Sequence, residues 1–407
     1  MRTFEKSDKL HGVCYDVRGP VLDEANEMKK KGIEVLQLNI GNPAPFGFTA
    51  PEVVVASMQE ALQDPMSQGY SDSKGIPEAR EAILHYHKEK GLPNINEDQI
   101  YLGNGVSEMI SLSMQGLLNN GDEILIPAPD YPLWTAAAKL AGGNPVHYIC
   151  DERSGWYPDI ADMEKKITDK TKGIVVINPN NPTGALYPKE ILEQIVSLAR
   201  KYELILFADE IYDRLVLDGK KHVSIASLAP DLFCVTFNGL SKSHRIAGYR
   251  CGWMVLSGDI SKAKGYIEGI NMLSSMRLCA NVPAQHVIAP ALNHRPETDE
   301  LLLPGGRIYE QRKCICDAIA DIDGLSAVTP EAAFYIFPKV DSRRFNIHDD
   351  EQFVLDFLRE KHVLLVHGGG FNWPEPDHFR IVYLPDVEVL SRSMTKMKEF
   401  LTEYLQK

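Results

Sequence analysis

Four side chains with reactive or directional chemistry each follow a short apolar run. Lys242 lies in Asn238-Gly-Leu-Ser-Lys-Ser-His-Arg245, just after Phe233-Cys-Val-Thr-Phe237. Asp209 and Tyr212 follow Leu204-Ile-Leu-Phe-Ala208 in Asp209-Glu-Ile-Tyr212, and Asn181 sits in Asn178-Pro-Asn-Asn-Pro-Thr-Gly184 after Gly173-Ile-Val-Val-Ile177. Each piece has a plain reading when taken alone. Most loop lysines are solvated, Asn, Pro and Gly are good turn formers, and Asp209 could serve as a cap. An acid directly after a buried strand, however, loses solvation and usually has a cationic partner. Together the pieces offer an amine nucleophile, a carboxylate, a phenol and an amide.

These residues need a scaffold that gathers them. The apolar runs are short and continuous, as in strands buried on both faces. Strands are predicted at 100–104, 123–127, 146–149, 173–177, 204–208 and 233–237, with a further run at 253–256. Helices are predicted at 107–118, 133–141, 160–167 and 189–202. This alternation implies an α/β fold with a doubly wound, mostly parallel sheet. In such a sheet ligands collect at the carboxyl ends of the strands. Gly103-Asn-Gly-Val-Ser107 turns from strand into helix there, with Ser107 or a neighbour as N-cap. Helix N-termini of this kind bind phosphate through free N–H groups and the dipole. Arg250, eight residues after Lys242, is the candidate ionic partner for that phosphate.

Outside this stretch, helices are expected at 21–31, 51–62 and 77–90, with a short strand at 35–40 before the turn Gly41-Asn-Pro-Ala-Pro45. One or two long helices are expected over 262–293. Strands at 333–337 and 378–383 and helices at 304–322, 352–361 and 387–405 form a smaller α+β unit. The expected division is an N-terminal segment, 1–50, that joins the small domain, a large domain at 51–295, and the C-terminal part of the small domain at 296–407.

The bulk numbers exclude several function classes. Of 407 residues, 43 are basic and 56 acidic, a net charge of −13. That argues against nucleic acid, which needs a basic face, and against anionic membranes. The seven cysteines are scattered, odd in number and without a CxxC pair, so neither a metal site nor a disulfide framework is indicated. Reduced thiols and an N-terminus without an apolar signal core lead to a cytoplasmic expectation. No apolar run approaches the roughly 18 residues needed to span a bilayer.

Pyridoxal phosphate is the one ligand that uses the whole set. Lysine attaches it covalently, a carboxylate opposite the ring nitrogen keeps the ring an electron sink, phenol and amide serve the ring oxygen, and the helix end takes the phosphate. The ordered motifs around Asn181, Asp209 to Tyr212, Ser241-Lys242, Arg250 and Arg380-Ile resemble those of the class I, fold type I aminotransferases over essentially the whole chain. Tyr15-Asp-Val-Arg-Gly-Pro-Val21 and Leu38-Asn-Ile-Gly-Asn-Pro43 are most similar to the alanine aminotransferase branch, of the bacterial glutamate–pyruvate type.

The resemblance implies roles. Lys242 carries the cofactor and shuttles the proton, and Asp209 pairs with the ring nitrogen. Tyr212 and Asn181 contact the ring hydroxyl, and Tyr131 stacks on the ring. The N–H groups of Val106 and Ser107, the hydroxyls of Ser107 and Ser241, and Arg250 hold the phosphate. Tyr70 reaches the phosphate of a neighbouring subunit in a homodimer with shared sites. Arg380 clamps the substrate α-carboxylate, with Asn181 and backbone near Gly41 assisting. Tyr15 and Arg18 complete the substrate side, Arg18 as the cation for a glutamate side chain. The activity implied is ping-pong transfer of an amino group between alanine/pyruvate and glutamate/2-oxoglutarate. A broader-specificity aminotransferase or a lyase of the same fold keeps the same cofactor residues.

Two departures from the family pattern stand out. Gly239 replaces the serine often found three residues before the lysine, which leaves that phosphate contact missing or supplied by Ser241. The loop His367-Gly-Gly-Gly-Phe371 is unusually rich in glycine, which puts the pocket wall in question. His367-Gly-Gly-Gly370 also mimics an esterase oxyanion motif, but the chain has no GxSxG elbow. Gly103-Asn-Gly-Val-Ser-Glu108 ends in Glu and so fails as a dinucleotide fingerprint.

Overall fold

The computed structural model describes residues 3–10, 13, 19–294 and 296–407. Tyr15 and Arg18 lie outside them. A first short strand, β1 (Leu36–Gln37), is followed by β2 (Ile100–Asn104), β3 (Glu123–Ala128), β4 (Asn144–Asp151), β5 (Tyr157–Pro158), β6 (Thr171–Ile177), β7 (Ile205–Asp209), β8 (Phe233–Gly239) and β9 (Cys251–Gly258). The last eight form one sheet in the order β2-β9-β8-β7-β6-β3-β4-β5. From β8 to β4 all neighbours are parallel, while β9 runs antiparallel to both β8 and β2.

Alternate residues of these strands feed two cores. Ile174, Val176, Leu206 and Ala208 face one side, and Val175, Ile177, Phe207 and Phe237 face the other. Both faces are apolar, so the period of two along each strand does not show as an alternation in sequence. Helices α2 (Glu52–Gln63), α3 (Pro77–Glu89) and α4 (Val106–Leu117) pack into these two cores, whereas α1 (Pro20–Lys30) buries Val21, Ala25 and Met28 in a third.

A smaller assembly is built from both chain ends and has its own core. Its later strands are β10 (Leu325–Ser326), β11 (Tyr335–Ile336), β12 (Lys339–Val340), β13 (Val363–Leu364), β14 (Val366–His367) and β15 (Phe379–Val382). β1 pairs in parallel with β13, and β15 lies between β11 and β14. Of the longer strands expected at 35–40 and 333–337, residues 36–37 and 335–336 take up strand structure, and Leu38 and Phe334 extend the backbone hydrogen bonding beyond them.

The one or two long helices expected over 262–293 are three: Lys264–Met276, Val282–Gln285 and Ile288–Asn293. Leu278 takes a left-handed conformation, with φ of 73°. Asn281 then caps a new start by accepting from the Ala284 N–H at 3.2 Å, with Pro283 in the first turn, where its missing N–H costs little. Among the described residues no helix is long and apolar enough to cross a membrane.

Candidate active site

The strand directions decide which residues meet. β2, β3, β6, β7 and β8 all end at one edge of the sheet, and antiparallel β9 begins there. Ile177 pairs with Asp209, and Asp209 with Phe237, so the segments that follow start level with one another. A cavity of about 280 Å³ opens at this edge, lined by Gly41, Val106, Ser107, Tyr131, Asn181, Asp209, Tyr212, Ser241, Lys242, Arg250 and Arg380, among others. Every cavity residue expected from the sequence and described in the structure is in this wall except Tyr70. Tyr70 is 81% exposed, away from its own cavity.

Lys242 extends from the loop after β8 and donates to the Gly41 carbonyl at 2.7 Å. Its pKa is lowered to about 8, chiefly by burial and then by the nearby Arg380 and Arg250 charges. Asp209, at the end of β7, accepts from Trp134 Nε1 at 3.1 Å and from the Ile211 N–H at 3.3 Å. Burial still raises its pKa to about 6 against those donors. Amine and acid are thus both moved toward neutrality by a dry wall. Tyr212 meets the Tyr335 hydroxyl at 2.7 Å, and its own pKa is pushed well up, chiefly by burial and then by Tyr335.

One end of the cavity is prepared for an anion. Gly105 precedes α4, and no side chain caps the helix. A Cβ on Gly252 of β9 would come within 2.4 Å of the Val106 nitrogen, so bare backbone supports the first helical amide from below. Arg250 donates only to the carbonyls of Ala247 (2.8 Å) and Asn104 (3.1 Å). Among the described residues no carboxylate pairs with it. Gly239 has no room for a side chain, because a Cβ there would stand 2.6 Å from the Cys251 carbonyl. The hydroxyl-bearing side chains that line the cavity here are Ser107 and Ser241.

The opposite end holds Arg380, on β15 and 3% exposed. It donates to Asn181 Oδ1 at 3.0 Å and to the Asn39 carbonyl. Its guanidinium lies between the rings of Tyr335 (4.7 Å) and Phe371 (4.6 Å). Its Nε and the neighbouring Asn39 Oδ1 are buried without partners. The glycine-rich loop makes this arrangement compact. It forms a tight turn at Gly368–Phe371, held by a 2.7 Å bond from the Gly369 N–H to Asp350, and delivers the Phe371 ring to Arg380. Tyr335 packs so close to Gly41 that a Cβ there would overlap its hydroxyl.

Trp134, Tyr335, Phe371 and Asn39 were not among the residues expected from sequence. A buried Trp needs a partner for its N–H, which was the available signal for Trp134.

The donor set fits pyridoxal phosphate. Two guanidinium groups that have no carboxylate partner among the described residues stand at opposite ends of one cavity, a shifted amine lies between them, and a buried carboxylate with no ion pair among the described residues faces in from β7. A fold of parallel strands with this edge defines a pyridoxal-phosphate-dependent aminotransferase. The profile of aminotransferase class I and II matches residues 33–392, and the chain belongs to that family. It is 57% identical over 406 residues to the glutamate-pyruvate aminotransferase AlaA of Escherichia coli strain K12, covering all of both chains. It is 53% identical over 406 residues to the alanine aminotransferase of Mycobacterium bovis, covering 100% of this chain and 94% of the relative. The crystal structure of an aminotransferase from Escherichia coli superposes with a TM-score of 0.98, at 57% identity and with full coverage of both chains.

Proposed function

We propose that this aminotransferase exchanges amino groups between alanine/pyruvate and glutamate/2-oxoglutarate. The observation that carries the reading is Arg380: a sealed guanidinium with no carboxylate of its own, within the cavity that holds Lys242. Burying such a charge is costly unless an anion joins it, and an α-carboxylate fits its two-pronged donor geometry. The names of the relatives, alanine and glutamate–pyruvate aminotransferases, support the substrate pair.

Arg250, Ser107, Ser241 and the first amides of α4 would hold the cofactor phosphate, Tyr131 would stack on the ring, and Asp209 would face its nitrogen. Bound pyridoxal phosphate supplies an electrophilic carbonyl and an electron sink. The protein supplies the rest. Lys242, neutral in a large fraction of molecules near pH 8, is the nucleophile that attaches the cofactor and the base that takes the substrate Cα proton. Arg380 fixes the substrate by its α-carboxylate, so the Cα proton faces Lys242. Asn181 steadies Arg380 by accepting from it at 3.0 Å, and its amide, with Tyr212, would serve the ring oxygen.

The reading extends to a cytoplasmic homodimer in which Tyr70 serves the neighbouring subunit. Its support is the exposure of Tyr70, Leu62, Met66, Met272 and Met276, large apolar side chains that a second copy would cover. Residues 51–295 would form the large domain, with 1–50 and 296–407 as the small one; the pairing of β1 with β13 supports joining the chain ends.

Lys242, Arg250 and Arg380, the cations lining the described cavity, all have tasks. We assign the side-chain carboxylate of glutamate to Arg18, and a substrate contact to Tyr15, on their place in the segment Tyr15-Asp-Val-Arg-Gly-Pro-Val21. Half-reaction spectra with a panel of amino acids test the substrate pair: alanine and glutamate should discharge the cofactor absorbance fastest, and no response to either would overturn the reading. Arg18→Ala should raise KM for glutamate about 100-fold, the loss of one charged hydrogen-bonded contact, and leave alanine within about two-fold. Equal changes for both would remove Arg18 from the site.

A further inference from the structure

The turn Asp209-Glu-Ile-Tyr-Asp213 has two faces. Asp209 and Tyr212 face the cavity. Glu210 and Asp213, three residues apart like the first pair, face the opposite way into a second buried cluster. Lys90, immediately after α3, places its ammonium 2.5 Å from Glu210 Oε2 and 2.5 Å from Asp213 Oδ2. The two carboxylates are almost sealed, at 2% and 4% exposure, and the lysine side chain is 15% exposed. Tyr86, on α3, donates to Asp213 at 2.6 Å, and Ser224 donates to Glu210 at 2.6 Å.

The cluster reaches the neighbouring strand ends as well. Asn238, near the end of β8 and four residues before Lys242, donates to Asp213 at 2.8 Å and accepts from the Gly239 N–H at 2.7 Å. His222, whose ring nitrogen lies near both carboxylates, meets the Asn178 carbonyl at 3.1 Å, just after β6 and three residues before Asn181. Glu210, Asp213 and His222 alone have the spacing of a metal site, but the Lys90 ammonium stands against both carboxylates and supplies their positive charge.

We propose that Lys90 is a positioning residue for the cofactor: it fixes the back of the three adjacent strand ends that present Asn181, Asp209 with Tyr212, and Lys242. Two buried carboxylates on one turn repel each other unless a cation joins them. Without that cation the turn must open toward solvent or take up a proton, and either change moves Asp209 and Tyr212 on its other face. The role requires the ammonium's charge and two-sided contact, so neither a neutral side chain nor a short one replaces it. The inference rests on the roles proposed above for Asp209 and Tyr212.

The test compares Lys90→Met, Lys90→Arg and the charge-relieved double variant Lys90→Met/Glu210→Gln, with Asp209→Ala as a control. Three quantities are read: affinity for pyridoxal phosphate from fluorescence of the cofactor-free chain, the pH at which the visible absorbance of the bound cofactor changes, and kcat and KM separately. The double variant removes the repulsion and leaves Asp213 its Tyr86 and Asn238 donors, so it should hold its Tm better than Lys90→Met; what it still lacks is the Lys90 contact that ties the end of α3 to both ends of the turn. It should therefore lose about ten-fold or more in cofactor affinity and in kcat, shift the absorbance transition, and hold KM for alanine within about two-fold, because Arg380 lies on another sheet. Lys90→Arg should recover much of the loss. A double variant with parental affinity, absorbance and kcat would overturn the proposal, even if Lys90→Met itself fails to fold. If Asp209→Ala also binds the cofactor normally, the site assignment fails first; if only that control is impaired, the failure belongs to Lys90 alone.

Discussion

The two ends of the cavity hold negative charge by different means. At the phosphate end the donors are mostly backbone: the open first turn of α4, set on bare glycine of β9, with Arg250 beside it. All of these come from strand ends of a single sheet. At the end proposed for the substrate carboxylate the cavity presents one guanidinium, and its surroundings are gathered from far apart. Asn39 follows β1, Asn181 follows β6, Tyr335 is on β11 and Phe371 follows β14. The first end is rigid because a sheet is rigid. The second depends on how the small assembly seats against the large one, which suits the end where different substrates must enter and leave.

The sharpest separation should come from Lys242, which lies between the ends. Lys242→Ala should lower transamination by about 10⁴-fold or more, as nucleophile and base are lost together, while phosphate-end binding keeps the cofactor associated in a spectrophotometric titration. Its depressed pKa gives a second readout. Reductive trapping of a neutral aldehyde by the cofactor-free protein requires the unprotonated amine. Labelling at Lys242 should therefore rise with pH and level off above about 8, where an ordinary lysine continues to rise toward about 10.4. A Lys242 profile like that of surface lysines would show that the wall is not dry.

Arg380→Ala comes next. KM for every amino acid should rise on the order of 100-fold, with cofactor affinity unchanged, since a charge-assisted contact is lost only at the far end. Loss of cofactor affinity would mean that the ends are coupled. Tyr335→Phe should have the smallest effect. It keeps the ring on Arg380 and removes the 2.7 Å bond to Tyr212, about 1 kcal/mol, so kcat/KM should fall roughly five-fold. An effect as large as that of Arg380→Ala would break the distinction between ring packing and hydroxyl contact.

The same contrast explains what the sequence disclosed. Lys242, Asp209, Asn181 and Arg250 each stand beside the strand that carries them, so short motifs and strand direction locate them. Tyr335 and Phe371 act through their approach to Arg380, and nothing local in Ala333-Phe-Tyr-Ile-Phe337 marks one ring over the others. Trp134 reaches Asp209 from the helix after β3 across 75 residues of chain. The order of α and β elements was legible because burial on both faces leaves continuous apolar runs. The division of residues 264–293 into three helices was less so, since the left-handed Leu278 is not a residue type that announces a break.

Gly252 sets a limit on how this enzyme can vary. The first atom a side chain on it would meet is the Val106 nitrogen, so even one added methyl would be felt at the first amide of α4 before it was felt by the core. In a library covering every position, alanine at 252 should therefore be depleted by selection for cofactor-dependent growth and tolerated better by selection for folding alone. Adaptation to new amino donors has little freedom at this edge, and heritable change in specificity must accumulate around Arg380, where the packing is between side chains.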